Sequence, residues 1–144
     1  MSKYFSIDEF RSHDGAEYPA EWVDSRLATL CAVLDAIREA WGGPLTVVSG
    51  YRSAAYNARL ASNSSGVAKN SQHIQGRASD IRPRDPTTAN VQRLHYLIKE
   101  LHHGHHIDAL GGLGVYPGWV HVDIRAHQPG VLVEWTGVGV GSEQ

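Results

Sequence analysis

Two short segments of the chain carry side chains suited to binding a metal ion. The first contains His73 and Asp80, which lies seven positions later, with Gly76 between them. A glycine permits the tight backbone turn that would bring both side chains toward one point. A neutral imidazole and a carboxylate are suitable ligands for Zn²⁺, at about 2.0–2.2 Å from the ion. Such a spacing also arises by chance, so the pair alone is only a candidate site.

The second segment is a predicted strand that reads Trp-Val-His-Val-Asp-Ile-Arg from residue 119. The period-two alternation of a strand puts its valines and isoleucine toward the core. The opposite face then carries Trp119, His121, Asp123 and Arg125. If this strand pairs with the one that contains Asp80, His121 can complete the set, and two histidines with one carboxylate leave a ligand position open for water. The alternative is that these are ordinary solvated strand residues.

Secondary-structure patterns in the first half of the chain are mainly helical. Apolar residues recur at steps of four and three between positions 23 and 41, which is typical of an amphipathic helix, and Gly-Gly-Pro ends it. The β-branched run at 45–49 predicts a buried strand. Ser53 can cap a short helix through about position 60. A polar loop is predicted over residues 62–72.

The second half of the chain predicts mostly strands. One strand is expected at 78–82, followed by a helix at 88–102 and three strands at 113–116, 119–125 and 131–135, with Pro-Gly turns between the last three. We therefore predict an α+β fold with a small antiparallel sheet flanked by helices. The chain is expected to be a single domain over residues 1–144, with an irregular N-terminal arm (1–20) and a flexible tail (137–144).

Composition excludes several classes of function. Thirteen Lys and Arg residues against fifteen Asp and Glu give a net charge of −2, which argues against a nucleic-acid partner bound through its phosphates. Cys31 is the only cysteine, so an internal disulfide and a cysteine-rich zinc site are excluded. The sequence contains no run of apolar residues long enough for a membrane span or a signal peptide. We expect a monomer made in the cytoplasm, without a membrane partner.

The motifs in their order resemble those of the zinc D-Ala-D-Ala carboxypeptidase family. The first motif, Ser-x-His-x-x-Gly-x-Ala-x-Asp, runs from Ser71 to Asp80, and the pattern His-x-Asp follows at residues 121–123. Upstream, Ser-Gly-Tyr-Arg-Ser at 49–53 and Asn57 also match. The resemblance covers residues 5–135. This family includes phage peptidoglycan endopeptidases, the dipeptidases of vancomycin resistance and the related hedgehog signalling domain.

The resemblance implies a role for each matching residue. His73, Asp80 and His121 would be the ligands of Zn²⁺. Arg52 would face the site and bind a substrate carboxylate, because a guanidinium can pair with a carboxylate in a bidentate manner. The alternative is that Arg52 forms a structural ion pair. Further substrate contacts are expected from Ser71, Gln72 and Trp119, with Gln72 as a candidate oxyanion donor.

The general base departs from the pattern of many family members. Those proteins carry a Glu or Asp three residues before the last histidine ligand, where this chain has Gly118, and others carry a His where it has Trp119. The subset that ends in Val-His-Val-Asp retains a carboxylate after the ligand. Asp123 is therefore the candidate for the base or for a residue that orients a ligand imidazole.

The resemblance implies a zinc-dependent peptidase that hydrolyses stem peptides of bacterial peptidoglycan. Both a D,D-carboxypeptidase and an endopeptidase fit this expectation, and the small size favours an endolysin-like enzyme of phage or prophage type that reaches the cell wall when released. The missing carboxylate at Gly118 favours an alternative, a non-catalytic zinc-containing binding module like the hedgehog domain. A domain without any metal is a third interpretation.

Overall fold

A computed structural model describes residues 2–63 and 71–137 of the chain. Within these ranges three α-helices and five β-strands follow one another, after a short 3-10 helix at Ile7–Phe10. In chain order they are α1 (Ala28–Trp41), β1 (Leu45–Ser49), α2 (Ala54–Asn63), β2 (Ala78–Pro83), α3 (Thr88–His103), β3 (Gly112–Val115), β4 (Val120–Asp123) and β5 (Val133–Thr136). The predicted α+β class is confirmed.

The five strands form one open sheet in the order β1-β2-β4-β3-β5. Neighbouring strands are antiparallel except for the last pair, because β5 runs parallel to β3. The sequence predicted an antiparallel sheet throughout. Strand β5 runs opposite to β4, as in a hairpin, but the chain passes through residues 124–132 and joins the sheet on the far side of β3. Because β3 also runs opposite to β4, β5 and β3 are parallel.

One face of the sheet packs against the helices and forms the core. Leu113, Val120 and Val122 are fully buried there, beside the apolar stripe of α3, whose Leu94 and Ile98 are also buried. Burial of each such side chain contributes about 1.5–3 kcal/mol. Because side chains alternate along a strand, this packing fixes the residues between them on the other face, which is where the candidate site lies.

The first long helix differs from the expected one at its start. The apolar period predicted a helix from position 23, whereas the structure has a wider π-helical turn at Val23–Leu27 and regular α-helix only from Ala28. The turn coincides with a tertiary contact, since Arg26 donates a hydrogen bond of 2.8 Å to the carbonyl of Gln75. Gly42, with φ of +79°, ends the helix as predicted.

The other elements lie close to their predicted positions. Ser53 caps α2, because its hydroxyl accepts a hydrogen bond from Tyr56 N at 3.1 Å. The N-terminal arm buries Phe5, Phe10 and Tyr18 in the core. Much of the predicted loop at 62–72, and the predicted tail after Gly137, lie outside the described residues. In the part of the chain that is described, none of the helices has the length and apolar character needed to cross a bilayer.

Candidate metal centre

The register of the sheet brings Asp80 and His121 side by side. Strand β4 pairs with β2 so that His121 lies directly opposite Asp80, as the sequence predicted for a paired strand. Both side chains are buried and point away from the helical face. The separation of Nδ1 of His121 from Oδ1 of Asp80 is 3.0 Å.

His73 reaches this point from the turn before β2. The Ser71 hydroxyl accepts a hydrogen bond from His73 N at 3.1 Å, and the carbonyl of His73 accepts one from Arg52 N at 3.1 Å. The ring donates from Nδ1 to the carbonyl of Gly50 at 2.7 Å. Because that carbonyl can only accept, the proton lies on Nδ1, and Nε2 is left with a free lone pair directed at Asp80.

Aromatic residues of the N-terminal half hold the turn that presents His73. The Tyr18 hydroxyl donates to the carbonyl of Gly76 at 2.7 Å, and Trp22 packs edge-on against Tyr18. Gly76 has a φ of +68°, and a Cβ atom there would lie 2.7 Å from both Tyr18 Oη and the Trp22 ring. The sequence indicated a tight turn at Gly76. The glycine is required for this turn and also for the close approach of the two rings.

Replacing Gly76 with alanine is expected to destabilise the fold by about 2–4 kcal/mol, because left-handed strain and overpacking add together. Chemical denaturation of the metal-free protein measures this change. Gly130→Ala is the matched control, because Gly130 has a similar φ of +76° with nothing within 4 Å of its added Cβ. Equal losses of stability in the two variants would contradict the packing argument.

The three predicted ligand side chains offer donor atoms that all lie within 4.8 Å of one another. Nε2 of His73 is 3.4 Å from Oδ1 of Asp80, and Nδ1 of His121 is 3.0 Å from the same oxygen. Tetrahedral zinc with bonds of about 2.0–2.2 Å separates its ligand atoms by about 3.3–3.6 Å. The observed separations therefore fit such an ion.

Unpaired buried atoms provide an independent test of the fit. Nε2 of His73 and Oδ2 of Asp80 are buried without a hydrogen-bond partner among the described residues, and such atoms are costly unless a partner such as an ion satisfies them. Both ring nitrogens of His121 face carboxylate oxygens, so a neutral ring cannot satisfy both. A cation between Nδ1 and Asp80 removes this conflict. The residues fit a divalent metal ion.

The protonation states of His73 and Asp80 also suit a metal ion. Burial lowers the pKa of His73 to about 4, although the charge of Asp80 opposes this change, so the ring stays neutral near pH 7. Burial alone would raise the pKa of Asp80, but the neighbouring His73 and His121 hold it well below its usual range. The site thus presents a carboxylate and a neutral imidazole, both of which are metal-binding forms.

Asp123 contacts His121 rather than the centre of the site. Its Oδ2 accepts a hydrogen bond of 2.7 Å from Nε2 of His121. Arg125 forms a two-pronged pair with the same carboxylate, at 2.8 Å from Nε and 2.6 Å from Nη2. Burial would raise the pKa of Asp123, but the hydrogen bonds from Arg125 and His121 hold it well below its usual range. Both oxygens are engaged, and Asp123 is fully buried.

Arg125 and Gly112 were not assigned to the site from the sequence. Arg125 shares the predicted strand face with His121, and that shared face was the available signal for it. Gly112 lies opposite Asp123 in the neighbouring strand, and a Cβ atom on it would overlap the Asp123 carboxylate. The glycine leaves the space that the carboxylate occupies, a requirement that only the pairing of the strands reveals.

Arg52 lies behind Asp80. Its guanidinium is fully buried, with Nη2 at 3.8 Å from Oδ2 of Asp80, and Nη1 donates to the Asn57 side chain at 3.2 Å. This is the geometry of the ion-pair alternative considered for Arg52. Its binding of a substrate carboxylate stays a prediction.

The other predicted contact residues lie around the same turn or on the same strand face. Ser71 is buried and supports His73, whereas Gln72 contributes its carbonyl to the turn, accepting from Gln75 N and Arg77 N at 3.1 Å each. Trp119 stacks on Tyr116 with ring centroids 4.8 Å apart. Substrate contacts by Ser71, Gln72 and Trp119 remain predictions.

Two other acidic residues, Glu134 and Asp108, make ion pairs away from the candidate ligands. Glu134 pairs with Lys99 at 3.3 Å, and Asp108 pairs with His105 at 3.2 Å. The histidine-rich segment from His102 to His106 forms the end of α3 and the turn after it.

The model of the family described as Peptidase M15 matches residues 3–123 of the chain. This match covers most of the sequence, including the three candidate ligands and Asp123. The chain belongs to the peptidase M15 family. The family of zinc peptidases indicated by the sequence motifs is therefore confirmed, and the buried His-Asp-His group lies inside the matched region.

Curated relatives of this M15 peptidase include two cell-wall enzymes. It is 35% identical over 96 residues to a probable peptidoglycan L,D-endopeptidase MepK of Haemophilus influenzae, an alignment that covers 65% of this chain and 44% of that protein. It is 33% identical over 82 residues to the peptidoglycan L,D-endopeptidase MepK of Escherichia coli K12, covering 56% of this chain and 40% of the relative. The alignments thus span less than half of either relative. No solved structure matches the chain significantly.

Proposed function

We propose that this protein is a zinc-dependent peptidase that hydrolyses peptide bonds in the stem peptides of bacterial peptidoglycan. The single observation that carries the proposal is the buried group of His73, Asp80 and His121, whose donor atoms all lie within 4.8 Å of one another. Membership of the M15 family supports hydrolysis of peptide bonds. The names of both MepK relatives support peptidoglycan as the substrate and favour an endopeptidase over a D,D-carboxypeptidase.

Zinc held by the two imidazoles and the carboxylate would lower the pKa of a bound water toward about 7 and polarise the scissile carbonyl. The residues of the chain keep the ligands in place. The carbonyl of Gly50 holds the proton of His73 on Nδ1, and Asp123 holds that of His121 on Nε2. These contacts direct the lone pairs of both rings to one point.

Asp123 is proposed to orient His121 and not to act as the general base. A base must be within reach of the proton it accepts and have a free lone pair. Both oxygens of Asp123 are already engaged by His121 and Arg125, and the depressed pKa makes this carboxylate a weak proton acceptor.

Arg52 is proposed to hold Asp80 as a carboxylate. Arg52→Lys is expected to weaken zinc binding by about 10-fold, because a lysine loses the fork that reaches both Asn57 and Asp80. Titration with a competing chelator measures this change. A variant with unchanged zinc affinity and a raised KM would instead support direct binding of substrate by Arg52.

A non-catalytic zinc module is the second candidate function. Gly118 stands where many relatives of this kind carry the base, and the engaged Asp123 strengthens this alternative. In such a module the metal would stabilise a binding surface without turnover.

Two measurements on the purified protein test the proposals. Metal analysis after zinc supplementation should give about one zinc per chain, and a protein without bound zinc would contradict both functions. Digestion of defined muropeptides followed by mass spectrometry should then show new peptide termini and identify the bond. Stoichiometric zinc with no product would eliminate the enzyme and leave the module.

A further inference from the structure

A row of residues crosses four strands and ends at a tryptophan. Asp80 of β2 lies opposite His121 of β4, His121 lies opposite Gly114 of β3, and Gly114 pairs with Trp135 of β5. All four residues belong to the face of the sheet that carries the candidate metal centre. Trp135 lies beyond residue 123, where the match to the family model ends.

Gly114 allows the Trp135 ring to reach across β3. A Cβ atom on Gly114 would overlap the indole, so the ring occupies the space that a side chain would take. Its centroid lies 5.0 Å from that of the His121 imidazole, with the ring planes inclined by 51°. A tryptophan of the edge strand thus contacts a candidate ligand that is two strands away.

Contacts around the indole hold it in this position. Nε1 of Trp135 donates to the Tyr116 hydroxyl at 2.9 Å, and Tyr116 in turn stacks on Trp119. A Cβ atom on Gly137, the residue after β5, would overlap the Tyr116 ring, so each of these two aromatic rings lies over a glycine. The guanidinium of Arg125 lies 5.1 Å from the Trp135 ring. The indole therefore contacts both His121 and the arginine that pairs with Asp123.

The contacts of His121 show how the Trp135 indole restricts the orientation of the imidazole. The hydrogen bond to Asp123 fixes which nitrogen carries the proton, but one in-plane bond leaves the ring free to tilt about it. The His73 ring approaches from the β2 side, with centroids 5.1 Å apart and planes at 76°. Trp135 approaches across β3, from the other direction along the sheet. The imidazole is confined between these two rings, and aromatic contacts of this kind favour one orientation.

We propose that Trp135 is a positioning residue for His121, held by Tyr116 and admitted by Gly114. The inference rests on the proposed metal site. Trp135 restricts the tilt of the imidazole and, with Arg125, keeps water from the His121–Asp123 hydrogen bond, which is stronger in a dry environment. Strand β5 thereby becomes part of the metal centre, although none of its residues supplies a ligand.

Zinc affinity of a set of Trp135 variants, measured by chelator competition, tests the proposal. Trp135→Leu keeps an apolar side chain without the aromatic face and should weaken zinc binding by about 10-fold, as for other residues that support a ligand. Trp135→Phe keeps an aromatic face and should recover most of the affinity. Trp41→Leu is the control, because Trp41 lies in α1 and its ring contacts Arg93 instead of the site; its zinc affinity should equal that of the wild type.

Absorption spectra of the cobalt-loaded proteins give a second readout that depends on ligand geometry. The visible bands should shift in Trp135→Leu, whereas Trp135→Phe and Trp41→Leu should keep the wild-type spectrum. Wild-type zinc affinity and an unchanged cobalt spectrum in Trp135→Leu would overturn the proposal.

Tryptophan fluorescence covers the case in which Trp135→Leu does not fold. Zinc should change the emission of the wild type and of Trp41→Phe, but it should have a smaller effect on Trp135→Phe, because the fluorescence of an indole near a ligand depends on the ion. Equal changes in all three proteins would overturn the proposal. These readouts do not need turnover. A wild-type protein that binds zinc but cleaves no peptide would refute only the proposed enzyme.

Discussion

Replacing Asp80 with alanine is expected to abolish zinc binding and to reduce hydrolysis by about a thousandfold or more, because unassisted water has a pKa far above 7. Asp80 is the carboxylate that both His73 and His121 approach, at 3.4 Å and 3.0 Å. Without it the two imidazoles keep no anionic partner for the ion. Metal analysis and digestion of muropeptides measure the two losses.

The same substitution is expected to affect folding. It leaves the fully buried guanidinium of Arg52 without its carboxylate, which lies 3.8 Å away, and removing one partner of a buried pair costs about 3–5 kcal/mol. Asp80→Asn separates the two effects of the change, because it keeps the shape of the side chain and removes the charge. We expect it to lose zinc as well. Chemical denaturation without metal measures the stability.

Asp108→Ala is a suitable control for these variants. Its carboxylate pairs with His105, and the side chains of Asp108 and His105 are largely exposed, at 67% and 78%. Stability and zinc content should be those of the wild type, since exposed pairs contribute little. An Asp80→Ala protein with wild-type zinc affinity would remove Asp80 from the metal site.

Replacing Asp123 with alanine is expected to weaken zinc binding by about 10–100-fold, because His121 loses the acceptor that holds its Nε2 proton. Asp123→Asn keeps an oxygen at the same position, so it should retain much more of the affinity. Chelator competition orders the variants as wild type, Asn and Ala. Turnover at saturating zinc should follow the same order.

A general base at Asp123 would give a different pattern. Both variants would then lose turnover by about a hundredfold or more, while zinc affinity would stay near the wild-type value. Arg125→Lys serves as a companion variant, because it weakens the two-pronged pair with Asp123 but leaves the carboxylate in place. We expect a smaller loss of zinc affinity in Arg125→Lys than in Asp123→Ala.

Most of the secondary structure could be predicted because it depends on local patterns. The apolar period of α3 and the β-branched run of β1 are visible in single stretches of sequence. The first helix starts at Val23, as its apolar period predicted, but its first turn is π-helical and not α-helical, a difference that the apolar period does not reveal. The parallel pairing of β5 with β3 was also missed, since the strand that β5 joins depends on the path of the chain after β4.

The candidate ligand set could be predicted from the sequence for a related reason. His73, Gly76 and Asp80 lie on one turn and the strand after it, so their spacing already limits their geometry. His121 required two further conditions, the alternation along its strand and the pairing of that strand with β2. Alternation can be read from residues, whereas the pairing was an assumption that the register then confirmed.

By itself the sequence determined the α+β class, the family and the residues that can offer ligand atoms to a metal. Only the tertiary structure decided what surrounds those atoms: Asp123 bonded to His121 and Arg125, Arg52 buried behind Asp80, and Trp135 lying over Gly114 against His121. The physical reason is that ligand chemistry belongs to side-chain type, which the sequence records directly. The support of a ligand belongs to contacts between strands far apart in the chain, and only their register brings these together.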